Sequence, residues 1–326
     1  MIITRSPLRI SVGGGGTDLP SYYEENGGTV FSSLSINKHI YISLNKRFLD
    51  TILIRYLENE EVSDLDDIKH DIIRETLKRH KRDFTGLEIT STSDVPGGTG
   101  LGSSGAFGVA LQMALRQYTN LKSDKYTLAS ESTIVEKDIL LRPIGLQDQY
   151  ISSFGGLTEF TVLESGNISA SQNINSIKTL EIIKDNLFLY FTDYSRDAST
   201  ILADQSKEMS DSKRSTEFGN IIEMGKFMYK SLVDADLDSY ANCMHDYWML
   251  KRERQKTHTL SGINDVYDHL YAKKLISGGK LVGAGGTGFL LLASKTPSKL
   301  HSEMKKFGLK QLEFDIDNDG AKVVEC

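Results

Sequence analysis

"PGGTGLGSSGAF", residues 96–107, is the stretch on which the fold of this chain turns. Glycine and serine dominate it and it contains no lysine, so any grip on an anion must come from backbone amides. Glycines let N–H groups approach a phosphate closely, and a following helix adds unpaired amides and the positive end of its dipole. "GAFGVALQMALRQY" (105–118) reads as that helix. Ser103 and Ser104 stand at its start, one suited to cap it and the other to reach a metal or phosphate oxygen. The chemistry that fits is a triphosphate neutralised by magnesium, while a flexible surface turn is the plain alternative. "GLGSSG" (100–105) also satisfies G-x-G-x-x-G, but "SDVPGGT" separates it from the preceding strand and spoils a dinucleotide turn. "SVGGGGTD" (11–18) follows a strand but lacks the third glycine in place. No G-x-x-x-x-G-K-[ST], D-F-G or H-R-D occurs, which sets aside P-loop enzymes and protein kinases.

Upstream of the loop, "IITRSPLRISV" (2–12), "HIYISLNK" (39–46), "TILIRY" (51–56) and "GLEITST" (86–92) read as strands. Between them Ser63 can cap a helix whose face carries Leu65, Ile68, Ile72, Ile73 and Leu77. Strands run consecutively, which favours α+β over a doubly wound parallel sheet. After "GGLTEFTVLE" (155–164) apolar content drops, placing a boundary near residue 180 between domains 1–180 and 181–326. The second half reads as strand 186–192, helices near 215–235 and 238–254, a strand–turn–strand over 278–294, a short helix "TPSKLHSEMKKFG" and a closing strand "LEFDI" (312–316).

A chain of 326 residues with 39% hydrophobic content can bury two cores. Net charge −6 argues against a nucleic-acid surface, and "LKRHKR" (77–82) reads as the solvated end of a helix. Two cysteines cannot make a disulfide framework, so a reducing cytoplasm is the default, and Cys243 with His245 lacks the further ligands of a zinc site. The N-terminus does not read as a secretion signal and no apolar run reaches ~18 residues, so no membrane is expected; a homo-oligomer is left open.

These residues carry a resemblance. "PGGTGLGSSGAF" resembles the central motif P-x-x-x-G-L-x-S-S-A of the galactokinase–homoserine kinase–mevalonate kinase–phosphomevalonate kinase (GHMP) superfamily, with Gly105 for alanine, a small-for-small change. "SPLRISVGGGGTDLPSYYEENGG" is similar to the first motif and "GKLVGAGGTGF" to the third, where Thr287 interrupts the glycines. Together they span residues 6–289 in the family's order. The resemblance implies an α+β fold in two domains, the first like domain 2 of ribosomal protein S5 and the second ferredoxin-like. It also implies ATP and Mg²⁺ as cofactors. On it, Pro96, Gly98, Gly100, Leu101, Gly102, Ser103, Ser104 and Gly105, with Gly285 and Gly286, hold the nucleotide.

In "EKDILLRPIGLQDQY" (136–150) a glutamate precedes G-x-x-D-Q at the family's spacing. The match makes Asp148 the catalytic base and Glu136, with Ser104, the magnesium ligands; an Asx-turn and an exposed helix residue are the plain alternatives. Arg9 falls where sugar kinases carry an arginine beside that aspartate, there to stabilise developing charge, though a strand arginine can simply face solvent. Gly15, Gly16, Thr17 and Asp18 fall at the sugar-binding segment, with helix capping as a second role for Asp18. "GLQDQY" and "DYWMLKR" (246–252) most resemble the subgroup that phosphorylates the anomeric hydroxyl of D-glycero-D-manno-heptose 7-phosphate. Such a sugar phosphate needs a second anion site, for which Arg196 in "TDYSRDAST" is the candidate and a surface ion pair the alternative. Trp248 and Tyr247 read as core or domain-interface residues. Two other functions stay open: a kinase for an unphosphorylated sugar of the fucose or galactose type, and a catalytically silent sugar–nucleotide sensor.

Overall fold

A computed structural model describes residues 1–172, 176–192, 212–254, 261–283 and 288–325. Two long strands organise the first half. β1 (Ile2–Gly13) and β2 (Thr29–Lys46) pair antiparallel from Ile2 opposite Leu44 to Gly13 opposite Ser32. The register slips after Pro7, whose missing N–H cannot feed the ladder. β2 changes its second partner along its length: Thr29–Leu34 meets β6 (Leu157–Val162), and Ile40–Lys46 meets β5 (Leu87–Ser93). β3 (Ile52–Arg55) runs parallel to β5 and carries β4 (Asn59–Val62), while β7 (Ile168–Gln172) extends β6.

On this sheet lies α3 (Ser103–Tyr118), whose buried residues run from Gly105 to Leu115 with only Met113 excepted. A helix apolar nearly all round belongs in a core. Beside it pack α4 (Lys125–Ile134) and α5 (Gln147–Phe154). The helix expected from Ser63 is broken in two. A 3₁₀ turn, Leu65–Asp67, is capped by Asp64, and α2 (Asp71–His80) starts afresh. The cause is Glu60, whose buried carboxylate accepts the backbone N–H groups of Lys69 and His70 and holds them outside any helix.

The second sheet has the order β11 (Lys310–Leu312), β8 (Leu187–Phe191), β10 (Phe289–Ala293), β9 (Gly278–Leu281), all antiparallel. β9 and β10 are buried at every position, and α8 (Leu237–Arg254) packs on β9 with Trp248 fully enclosed. α7 (Ser212–Val233) instead contacts β1 and β2, where Gly225 meets Gly13 and Gly14 backbone to backbone. α6 (Ile177–Asn186), α9 (Ser261–Ala272) and α10 (Pro297–Lys306) complete the described helices of this half.

The expected closing strand over 312–316 does not form. β11 ends at Leu312, and Ile316 makes a single bridge to Ile36 of the first sheet. Asp317 then accepts from the amides of Asp319 and Gly320 and bonds the His39 ring at 2.7 Å, so β12 (Lys322–Glu325) is laid on the outer edge of β1. The chain therefore returns its final stretch from the second sheet to the first.

Candidate functional site

Residues 96–102 leave β5 and turn into α3, with Gly98, Gly100 and Gly102 at φ of 71, 80 and 76°. Gly102 is the N-cap, and among the described residues no side chain bonds the first amides of α3. The expectation that a serine caps this helix fails, and its amides are left to an outside acceptor. Ser104 instead donates its hydroxyl to the Glu136 carboxylate.

Glu136 sits in a π-helical turn, Val135–Ile139, that follows α4 and swings its carboxylate beneath the loop. It is 1% exposed and also accepts from Gln149 Nε2 at 2.9 Å and Arg142 Nη1 at 3.2 Å. Arg142 in turn grips both oxygens of Asp71 at 2.9 Å, which fixes its fork. Burial pushes the Glu136 carboxyl up, against the pull of its three donors.

Asp148 lies in the first turn of α5, where the helix dipole favours a carboxylate. Arg9, buried on β1, reaches one of its oxygens, Oδ1, with both Nε at 2.8 Å and Nη2 at 2.6 Å. Arg9 Nη1 donates to the Gly100 carbonyl, and the Arg9 amide bonds Leu101 O at 2.9 Å, so the pair is tied to the glycine loop. Asp148 is 33% exposed at its side chain, and the Arg9 contacts among the described residues engage Oδ1 rather than Oδ2. Gly105 is what lets this aspartate approach. A Cβ there would lie 2.6 Å from Asp148 Cβ and 2.9 Å from the Gln149 amide nitrogen.

Asp18 does not cap the short α1 (Pro20–Tyr23), whose N-cap is Leu19. Its carboxylate accepts from the amides of Gly16 and of Gln147, both at 3.0 Å, and so caps α5 from outside. Burial pushes its carboxyl up; the Gln147 amide opposes this and nearby Asp148 reinforces it.

These groups converge on one cavity of about 530 Å³. Arg9, Gly15, Gly16, Asp18, Gly98, Gly100, Gly102, Ser103, Ser104, Gly105, Glu136 and Asp148 line it. Three expected residues stand apart: Pro96 is exposed, Leu101 is in the core, and Thr17 is fully buried with its hydroxyl on Gly14 O and Thr29. Arg196, Gly285 and Gly286 lie outside the described residues. From the C-terminal half come two residues to which the sequence assigns no role, Lys251 on α8 and Lys280 on β9; Gly283 of the third glycine motif lines the same space, as does Tyr247. Among the described residues no cluster of three or more His, Cys, Asp or Glu could hold a metal. Ser104 and Glu136 offer two hard oxygens beside an open anion cradle, a set that suits magnesium shared with phosphates.

The halves meet along this cavity without side chains. A Cβ on Gly100 would sit 2.6 Å from Val282 O, and one on Gly283 would sit 2.6 Å from Gly100 O. Among the described residues, no helix is long and apolar enough to cross a membrane.

A cradle of free amides, a braced aspartate and paired hard oxygens around one space belong to enzymes that pass a phosphoryl group to a small hydroxyl compound. Comparison with known proteins agrees. Residues 69–156 match the model of the GHMP kinases N terminal domain. D-glycero-alpha-D-manno-heptose 7-phosphate kinase of Campylobacter jejuni is 29% identical, over 98% of each chain. L-fucokinase/L-fucose-1-P guanylyltransferase of Bacteroides fragilis is 24% identical over 90% of this chain and 34% of its own length. In fold, the chain is similar to a D-glycero-D-manno-heptose 1-phosphate kinase from Bacteroides thetaiotaomicron, with TM-score 0.82, 18% identity and coverage of 100% and 99%. The chain is a GHMP kinase, an ATP-dependent phosphotransferase with the two-sheet α+β fold of that family.

Proposed function

We propose that the enzyme phosphorylates the anomeric hydroxyl of D-glycero-D-manno-heptose 7-phosphate, giving the 1,7-bisphosphate that feeds nucleotide-activated heptose and surface polysaccharide. The observation that carries this reading is the Arg9–Asp148 pair beside Asp18 in one cavity with the uncapped start of α3. The full-length likeness to the Campylobacter heptose 7-phosphate kinase supports the choice of sugar.

In this reading the sugar lies between Gly15–Gly16 and Asp148. Asp18, held by the Gly16 and Gln147 amides, keeps a fixed orientation toward sugar hydroxyls. Asp148 Oδ2 takes the proton of the anomeric hydroxyl, while Arg9 on Oδ1 prevents the carboxylate from rotating away. The amides at the start of α3 receive the nucleotide's phosphates. Ser104 and Glu136 would hold magnesium, which supplies charge neutralisation of those phosphates.

The test is an ADP-release assay over a panel of sugars and sugar phosphates, with the product read by phosphorus NMR. Turnover of the heptose 7-phosphate to a 1,7-bisphosphate well above every unphosphorylated sugar is expected. Preference for free L-fucose would instead favour the fucokinase reading, to which the Bacteroides fragilis relative gives some support.

A further inference from the structure

Lys280 is 2% exposed, yet it lines the catalytic cavity. It rises from β9, donates to Val12 O at 2.6 Å, and sits 5.0 Å from the centre of the Tyr247 ring. Among the described residues it joins no ion pair. The charged and titratable groups that act on it are Lys251 and Cys243 from α8 and Arg9 from β1, none of them a carboxylate. Lys251, also on the cavity wall, donates to Gly283 O at 2.7 Å, and Gly283 rests on Gly100 of the glycine loop. Lys251 and Lys280 thus bring positive charge to the cavity from the second sheet and its helix, while the carboxylates come from the first half, where Arg9 is already bonded to Asp148.

A buried ammonium among like charges is costly unless an anion joins it. A latch between β1 and β9 would need only a neutral donor, and an apolar side chain would fill the same space without charge. We propose that Lys280, with Lys251 beside it, is a phosphate-binding site that takes the phosphoryl oxygens of a substrate. The path Lys251–Gly283–Gly100 points to the terminal phosphate of the nucleotide as the source, with the sugar's own phosphate as the other source of the same chemistry. The inference rests on the phosphotransferase assignment and not on which sugar is used.

The site carries its own signature. Burial, then Lys251 and Arg9, hold Lys280 well below the usual lysine range. A phosphate dianion beside it favours the charged form and raises that value. Between the free and the liganded values, binding must therefore take up a proton. The experiment is calorimetric titration of the whole protein in buffers of different ionisation enthalpy, over about pH 7 to 10, below and up to the normal lysine value. The ligands are magnesium with the non-hydrolysable imido analogue of ATP, magnesium with ADP, the heptose 7-phosphate and the free heptose.

Proton uptake with the ATP analogue but not with ADP assigns the site to the nucleotide's terminal phosphate. Uptake with the heptose 7-phosphate but not with the free heptose assigns it to the sugar's phosphate. In either case Lys280→Met should abolish the difference and weaken the responsible ligand about 10- to 150-fold, as loss of one charge-assisted contact does. Comparison with that variant also cancels the ligand's own ionisation. Lys251→Met removes a positive neighbour, so it should move the uptake window to higher pH, and this arm stands even if Lys280→Met fails to fold. Two results overturn the proposal: equal proton counts within both ligand pairs, or uptake that neither substitution changes. Absent turnover of every heptose compound would overturn the sugar assignment while leaving the nucleotide arm readable.

Discussion

The two walls of the cavity differ in what they contribute. The wall built from the first sheet and its helices brings three carboxylates, Asp18, Glu136 and Asp148, each positioned by amides, a serine or an arginine. The wall built from the second sheet brings Lys251 and Lys280, tied to main-chain carbonyls. Taken alone the first wall sets three carboxylates against a triphosphate, and Arg9, Arg142 and the helix amides are what it has to attract one. Taken alone the second has cations but no base. Chemistry needs the halves together, in a protein whose net charge of −6 opposes anions at long range.

The sharpest way to break this division is to remove the proposed base from the acidic wall. Asp148→Asn keeps the Arg9 contact in shape but cannot take a proton. Its kcat should fall about 10²–10⁴-fold, as loss of a general base does, with nucleotide affinity intact by calorimetry. Near-full turnover would mean that the proton leaves by another route.

Next in size is Gly105→Ala, which restores the residue usual in the family motif. Its Cβ would press on Asp148 and Gln149 at 2.6 and 2.9 Å, so α5 must shift. Overpacking of this kind costs about 1–3 kcal/mol, readable as a lower urea midpoint. Turnover should drop more than nucleotide affinity does, because the base moves and the loop does not. An unchanged midpoint and kcat would show that α5 yields freely.

Smaller effects sharpen the metal assignment. In the proposed metal site Glu136 must act as a carboxylate, whose protonation burial promotes. Magnesium affinity with bound nucleotide should weaken as pH falls through that raised value. Glu136→Gln or Ser104→Ala should raise the magnesium requirement, and Glu136→Gln should flatten its pH dependence. Unchanged metal dependence in both variants would remove them as ligands.

The smallest effect concerns the free protein. Asp18 and Glu136 both have raised folded values, so their contribution to stability is complete below the unfolded carboxyl values of about 3.9 to 4.3. It is lost as pH rises through the folded values. Urea midpoints without magnesium should therefore decline over this interval, less steeply in Glu136→Gln than in the wild type.

What the sequence makes legible divides along the same line as the walls. The acidic wall is local: glycines before a helix, and a glutamate twelve residues ahead of the aspartate in G-x-x-D-Q, carry their chemistry in their spacing. The basic wall is not. Nothing in the spacing around Lys280 in "GGKLVG" or Lys251 in "WMLKR" gives either lysine a role, and only the packing of β9 and α8 brings them to the cavity. Gly105 looked like a neutral exchange because the helix that crowds it starts forty-two residues later. Thr17 sits inside a matching segment, yet it is turned inward to brace the loop on Thr29. The broken helix at 65–80 likewise depends on Glu60, outside the periodic pattern that suggested it.

The return of β12 to the first sheet has a consequence for how the protein is made. On the ribosome β1 emerges ahead of both its partners, and its inner edge can soon be covered by β2. Its outer edge, at Ile3, Thr4 and Arg5, must wait until the entire second sheet has been synthesised before Lys322–Glu325 arrives. For that interval the nascent chain carries an open strand edge, the surface on which neighbouring chains pair. Truncation just before residue 322 would make this temporary hazard permanent, and such a chain should aggregate during expression even though every residue lining the cavity is still present.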